Sequence, residues 1–395
     1  MKEVVLVSAV RTAVGKFQGS LSSFTSPRLG ALVVAEAVRR AKVEAPQVDE
    51  CVMGCVLQAG LGQNPARQAA LYGGLAKEVS ALTVNMVCGS GLRAAALGAQ
   101  SIQTGDAEIV VAGGMESMTN APYLLPQARS GYRMGNGTMI DAMIQDGLWE
   151  IYNNVHMGNC AEMIAKTYGI TREEQDAFAA ESHRRAAEAT AAELFKEQIL
   201  PVTLPLARGE KEARTFSADE SIRPSTTVEV LAKLKPAFEK DGTVTAGNAP
   251  GVSDGAAAVV VMSAERAKAL GASPMAVIRA QAIAGREPEW FGLAPVDAVR
   301  KVAAKAGWRL DEVDLFELNE AFSVQAMAVN RELGLDAAKV NIHGGAVAIG
   351  HPIGASGARV LVTLLYALAQ TGKRKGIAAL CLGGGNAVAL AVERV

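Results

Sequence analysis

Residues 90–114, SGLRAAALGAQSIQTGDAEIVVAGG, and residues 356–385, SGARVLVTLLYALAQTGKRKGIAALCLGGG, follow one plan. Each opens Ser-Gly-x-Arg, runs through an apolar helix-length segment to Gln-Thr-Gly, crosses a polar link and enters an apolar run ending in glycines. A single Ser-Gly-x-Arg match is chance; the whole ordered series points to two similar halves, as internal duplication produces. Around both copies, short apolar runs alternate with Ala-rich segments of helix length, the pattern of an α/β chain. The first half reads as strands at 4–8, 50–56, 81–87 and 108–113, with helices at 29–42, from 64 and after 88. The second reads as a helix at 296–307, a strand at 315–318, a helix at 321–333, a helix ending at 372 and a strand at 376–382. Between them the texture changes: Tyr, Met, Asn and Pro rise around 121–154, and a charged helix at 171–196 opens on Thr171 and Glu174, a capping box. The expected organisation is a first half at 1–118 plus 250–270, an inserted loop domain at 119–249 and a second half at 271–395.

Composition narrows the function. The chain has 395 residues, half of them apolar, enough for two or three domains of roughly 150 residues. Its 39 basic and 40 acidic residues nearly cancel, so no field favours nucleic acid or an anionic membrane. The opening MKEVVLVSAVRTAVGKF is too short and too charged for a secretory signal, and no apolar stretch approaches the ~20 residues of a membrane span. Five irregularly spaced cysteines do not form a disulfide framework, so a soluble, reduced, cytoplasmic protein is expected. Cys51 and Cys55 lack a second ligand pair and read as strand residues, so no metal is expected. No G-x-G-x-x-G with an acidic residue ~20 positions on follows the first strand, which disfavours a dinucleotide oxidoreductase.

Chemistry gathers at the ends of the repeated stretches. Cys88, in VNMVCGSGLRAAA, lies between a strand and a helix start, where free N–H groups and the helix dipole favour a thiolate. Gly89 and Gly91 let a carbonyl approach the backbone. His351, in GGAVAIGHPIGASG, sits on a glycine-rich loop and is placed to be a base or an oxyanion donor, whereas His183, on its charged helix, reads as structural. The repeat puts Cys381 near the pseudo-symmetric centre. Asn319 and Glu320 stand at a strand-to-helix junction, as caps or as site residues.

VCGSG around Cys88, NEAF at 319–322, GHPIGASG around His351 and CLGGG at Cys381 resemble, in order and spacing, four signature blocks of the thiolase family. GGMES at 113–117, HMG at 156–158 and GTVTAGNA at 242–249 extend the resemblance over essentially the whole chain. It implies a thiolase fold, with two duplicated βαβ-type halves in a layered αβαβα core and an inserted loop domain. It implies that Cys88 takes an acyl group from acyl-CoA, that His351 accepts the Cys88 proton, and that Cys381 removes the α-proton of a second acetyl-CoA. Asn319 would position a water in one oxyanion hole beside His351; the N–H groups of Cys88 and Gly383 would form the other. Leu148, His156 and Met157 would line the pantetheine and acyl pocket, Arg223 would lie by the adenine nucleotide, and Ala246, Ala321 and Phe322 would wall the tunnel. Coenzyme A is then substrate and product, with no further cofactor, and a homotetramer built from dimers is expected, with NAPYLLP at 120–126 as a contact loop.

Three positions depart from the family pattern: Pro250 stands for a serine that contacts pantetheine, Phe291 for a methionine before glycine, and Cys160 for a threonine, read as packing. CGSG, HMG and the glycines after Cys381 look like the short-chain group that forms acetoacetyl-CoA. The alternatives are a broad-range degradative 3-ketoacyl-CoA thiolase, which more often shows CSSG and GTG, and, more remotely, a non-catalytic CoA- or lipid-binding protein of the same fold. A ketoacyl-synthase-like enzyme would lack the second cysteine.

Overall fold

The computed structural model describes residues 2–206 and 212–395. Strands β1 (Val4–Thr12), β2 (Glu50–Gly54), β3 (Ser80–Val84), β4 (Ile109–Ser117) and β5 (Ser253–Ser263) lie side by side in the order β3-β2-β4-β5-β1. Strands β6 (Ala276–Gly285), β7 (Leu315–Leu318), β8 (Lys375–Leu382) and β9 (Asn386–Arg394) follow the order β7-β8-β9-β6. The two orders superimpose as β2/β7, β4/β8, β5/β9 and β1/β6. In both, the first two strands are parallel and the next two pairings antiparallel. The halves join edge to edge where Val5 and Leu6 of β1 pair with Val277 and Ala276 of β6. The repeat visible in the sequence is therefore one part of a duplicated sheet whose other strands have diverged.

Helices α1 (Ser26–Ala41) and α2 (Pro65–Tyr72) cover one face of the first half-sheet, and α3 (Ser90–Thr104) packs on the other. The inserted region carries α4 (Met157–Tyr168) and α5 (Arg172–Ala191); α6 (Ala294–Ala306) and α7 (Ser323–Leu333) flank the second half-sheet, and α8 (Ile353–Thr371) joins α3 at the centre. The result is helix, sheet, helix, sheet, helix. Strand β5 shows how the sequence serves two cores: Ala256, Ala258, Val260 and Met262 face the outer helices, while Ala257, Val259 and Val261 face the central pair. The nearly continuous apolar run of α8 has the same cause, since sheet lies on both sides of it. Its composition and 19 residues would suffice for a membrane span, contrary to the sequence expectation, but the helix is buried inside the protein.

The central helices cross at the two glycines of the repeat. A Cβ on Gly91 would lie 2.6 Å from the backbone nitrogen of Ala358, and one on Gly357 would crowd that of Leu92. No other residue allows this approach. Thr171 caps α5 with Glu174 completing the box, as the sequence predicts. Strands β5 and β9 are not legible in the sequence, because runs such as AAAVVVM and AVALAV are apolar throughout and show neither period 2 nor 3.6; β6, AVIRAQAIAG, carries Arg279 and Gln281 on a partly exposed face and is absent from the sequence reading for no such reason. Strand β3 stops at Val84, earlier than expected, because the next residues leave the sheet to build a loop.

Replacing Gly357 by alanine should destabilise the protein by about 1–3 kcal/mol through overpacking. Gly251, with no atom near its absent Cβ, is the control: alanine there should stay within roughly 0.5 kcal/mol in urea titrations.

Candidate active site

After β3 the backbone turns sharply, and Val87 takes φ of 45°, a left-handed conformation unfavourable for a β-branched residue. Three hydrogen bonds hold it. Ser90 Oγ donates to the Val87 carbonyl at 2.6 Å and accepts the Met86 N–H at 2.9 Å, while Asn85 Oδ1 accepts the Val87 N–H at 3.0 Å. Cys88 is thereby raised half-buried at the mouth of α3. Gly89 leaves no room for a side chain against Leu382, so the turn packs directly on the end of β8. Burial pushes the Cys88 thiol up to about 12, although the N–H groups of Gly383 and of Cys88 itself pull it down. This corrects the expectation that the helix start makes a thiolate: desolvation outweighs the dipole, and the resting group is a thiol.

His351 enters α8 as Cys88 enters α3. Its N–H donates to Ser253 Oγ at 3.1 Å, and its Nδ1 lies 2.6 Å from Ser356 Oγ. Ser356 donates its own proton to the Pro352 carbonyl at 3.0 Å, so Nδ1–H must be the donor to Ser356, and Nε2 is left with a lone pair. Burial, then the nearby Arg359 charge, lowers His351 to about 3, so the ring is neutral. Ser356 is the counterpart of Ser90 in the repeat: the same hydroxyl fixes the nucleophile loop in one copy and the imidazole in the other. Asn319 Nδ2 stands 3.4 and 3.5 Å from the two ring nitrogens of His351.

Cys88, His351 and Gly383 open on one cavity of about 340 Å³, lined largely by apolar side chains. Leu148, His156, Met157, Ala246, Pro250, Phe291, Ala321 and Phe322 also line it. Cys381 and Asn319 lie buried behind the wall; burial first, and then any charge on the neighbouring Cys88, raises the Cys381 thiol well above its ordinary range. In HMG, His156 caps α4 by accepting the Gly158 N–H at Nδ1, and Gly158 leaves space for Phe238, whose ring stacks on His156 at 4.6 Å. Among the described residues, no group of three or more His, Cys, Asp or Glu could hold a metal ion.

The family profile described as "Thiolase, N-terminal domain" matches residues 4–265, and "Thiolase, C-terminal domain" matches 272–394. The chain belongs to the thiolase family. It is 55% identical over 394 residues to the acetyl-CoA acetyltransferases of Pseudomonas aeruginosa and Cupriavidus necator, covering 100% of both chains in each case. It is 52% identical over 396 residues to that of Escherichia coli, again covering 100% of both. The crystal structure of the Bacillus anthracis acetyl-CoA acetyltransferase superimposes with a TM-score of 0.97 at 44% identity, covering 100% of this chain and 99% of that one.

Arg223, which the resemblance sets by the adenine nucleotide, lies outside the cavity of this thiolase. It is exposed, and its backbone N–H donates to His183 Nδ1 at 3.1 Å. Glu320 is a fastening: it accepts Ser182 Oγ–H, Asn341 Nδ2–H and the Val347 N–H, and so ties α5 to the loops before α8. Cys160 is buried packing, as read. Phe238, Met118, Val252 and Ile353 also line the cavity. No sequence signal marked Phe238, because the segment around it has no period. In GGMES, Glu116 accepts the N–H groups of Val56, Leu57 and Gly354 at 3.0, 3.2 and 2.9 Å, pinning the first turn of α8 to the first half.

Burial raises Glu116 to about 7 from an ordinary 4.5 despite those donors. The folded protein therefore holds this proton more tightly than the unfolded chain. The resulting stability is complete below pH 4.5 and is lost by roughly 1.4 kcal/mol per unit as pH rises toward 7. Glu116→Gln does not titrate, so its deficit relative to wild type should shrink across that window in urea unfolding. A deficit that grew with pH would mean the carboxylate is ionised in the fold.

Proposed function

We propose that this thiolase is an acetyl-CoA acetyltransferase, which condenses two acetyl-CoA into acetoacetyl-CoA and CoA or runs the reverse thiolysis. The observation that carries the reading is the convergence of Cys88 and a neutral His351 on one apolar cavity, with Cys381 buried beside Cys88 behind its wall. His351 Nε2 would take the Cys88 proton as the sulfur attacks the thioester carbonyl and would hold it, while the Cys381 thiol protonates the departing CoA sulfur and is left as the thiolate base. The N–H groups of Cys88 and Gly383, directed at the Cys88 sulfur, would receive the oxygen of the acyl group carried there. Across the cavity, His351 and Asn319 would serve the oxygen of the second acetyl-CoA as its α-carbon loses a proton to Cys381. The carbanion then attacks acetyl-Cys88, the carbon–sulfur bond to Cys88 breaks, and the balance closes when His351 returns its proton to the released Cys88 sulfur while Cys381 keeps the α-proton. An acylated Cys88 cannot carry the charge that would oppose ionisation of Cys381, which supports the order nucleophile first, base second.

The apolar lining by Met157, Phe291 and Phe322 supports a short acyl group, and the CoA chain would leave past His156 and Phe238. All five cysteines are unpaired, which supports a reducing, cytoplasmic setting. Exposed Tyr123 and Leu125, in the loop at 120–126, support assembly as a homotetramer; light scattering should give four times the chain mass.

Radiolabelled acetyl-CoA, quenched in acid, should leave label on the Cys88 peptide. Cys88→Ser should lose the label. Cys381→Ser should keep it while making no acetoacetyl-CoA. Binding of CoA without any label in the native protein would leave only a binding role.

A further inference from the structure

Asn319 has two nearly isosteric ends, and only its nitrogen can donate to a developing oxyanion. What decides which end faces the cavity is Arg359. Its Nη2 donates to Asn319 Oδ1 at 3.2 Å, and arginine has donors only, so the amide oxygen is committed to that side. Arg359 lies three residues after Ser356 on α8, hence on the same helix face one turn on. That face holds both partners of the oxyanion pair: Ser356 fixes the His351 ring, and Arg359 fixes the Asn319 amide.

A buried structural ion pair is the plainer explanation for Arg359, and the geometry argues against it. Its guanidinium is 2% exposed, yet the nearest carboxylate, Glu317, is 3.9 Å away and forms no hydrogen bond with it. Arg359 Nε and Nη1 have no hydrogen-bond partner. A pair kept for stability would be close and bidentate, as Arg11 is with Asp219 at 2.7 and 2.9 Å. Glu317 precedes Asn319 by two residues, so both project to the same side of the strand. The repeat supplies a comparison: Arg93, the counterpart of Arg359, is half-buried and reaches Gln281 at 3.2 Å, away from the cavity. The same inherited arginine serves the chemistry in one copy only.

We propose that Arg359 is a positioning residue for carbon–carbon bond formation, holding Asn319 by its oxygen so that the amide nitrogen faces His351 and the enolate oxygen. The inference rests on the acetyltransferase reading above. It concerns one step alone, because acylation of Cys88 uses the N–H groups of Cys88 and Gly383 instead.

The test separates the half-reactions in Arg359→Lys, Arg359→Met and the double variant Arg359→Met with Glu317→Leu, which leaves no lone buried charge if the single change does not fold. Exchange of label between acetyl-CoA and CoA reports acylation; acetoacetyl-CoA formation reports condensation. With Met, condensation kcat should fall on the order of 10²-fold, with KM and exchange held within about three-fold, and Lys should recover part of the loss. Parallel loss of both half-reactions, or a rise in KM alone, would overturn the positioning role. Wild-type protein that neither exchanges label nor forms acetoacetyl-CoA would instead overturn the acetyltransferase reading.

Discussion

Gly91 and Gly357 let the two central helices meet backbone to backbone, and the arrangement of the site depends on it. A helix start is the natural place for a side chain held against free N–H groups, and this protein has two such starts pressed together. Cys88 precedes one and His351 precedes the other. Any side chain at either glycine would part the helices and with them the nucleophile and its base. The two half-sheets, joined edge to edge through β1 and β6, pack on either side of the two central helices and bury most of their surface. Glu116 and Glu320 then fasten the surrounding loops, each with three or more donors on a buried carboxyl.

Dryness has two opposed effects on the chemistry. It raises both catalytic thiols far above their ordinary range and makes His351 neutral, so no ionised nucleophile waits in the resting protein. The same low-dielectric surroundings strengthen every fixed donor aimed at a developing oxyanion. A neutral imidazole with one nitrogen tied to Ser356 is the form needed to accept a proton on demand. The apolar walls thus hold the reactive groups in their uncharged states until a thioester carbonyl arrives to share the charge.

The duplicated architecture explains how one ancestral pattern supports two chemistries. Ser90 and Ser356 keep the same local task, holding the turn before a central helix. Arg93 and Arg359 have separated in theirs. The strand orders of the two halves agree pair by pair, although only the stretch around each central helix still shows the kinship in its residues. Buried strands tolerate exchange among Ala, Val, Leu and Ile, so their sequences drift while their pairing persists.

The sequence by itself determined the family, the α/β class, the duplication and the identity of Cys88, His351, Cys381 and Asn319, because glycine turns and reactive side chains must sit at fixed places in the chain. The capping box at Thr171 was legible for the same reason: it is local. Strands β5 and β9 were hidden, since a strand covered on both faces loses its alternation. Only the tertiary structure decided that Arg223 lies away from the cavity, that Phe238 stacks on His156, and that desolvation overrides the helix dipole at Cys88. It alone turned the Asn319 amide by placing Arg359 beside it, for contacts between residues 40 positions apart in the chain follow from packing, and neither partner announces the other.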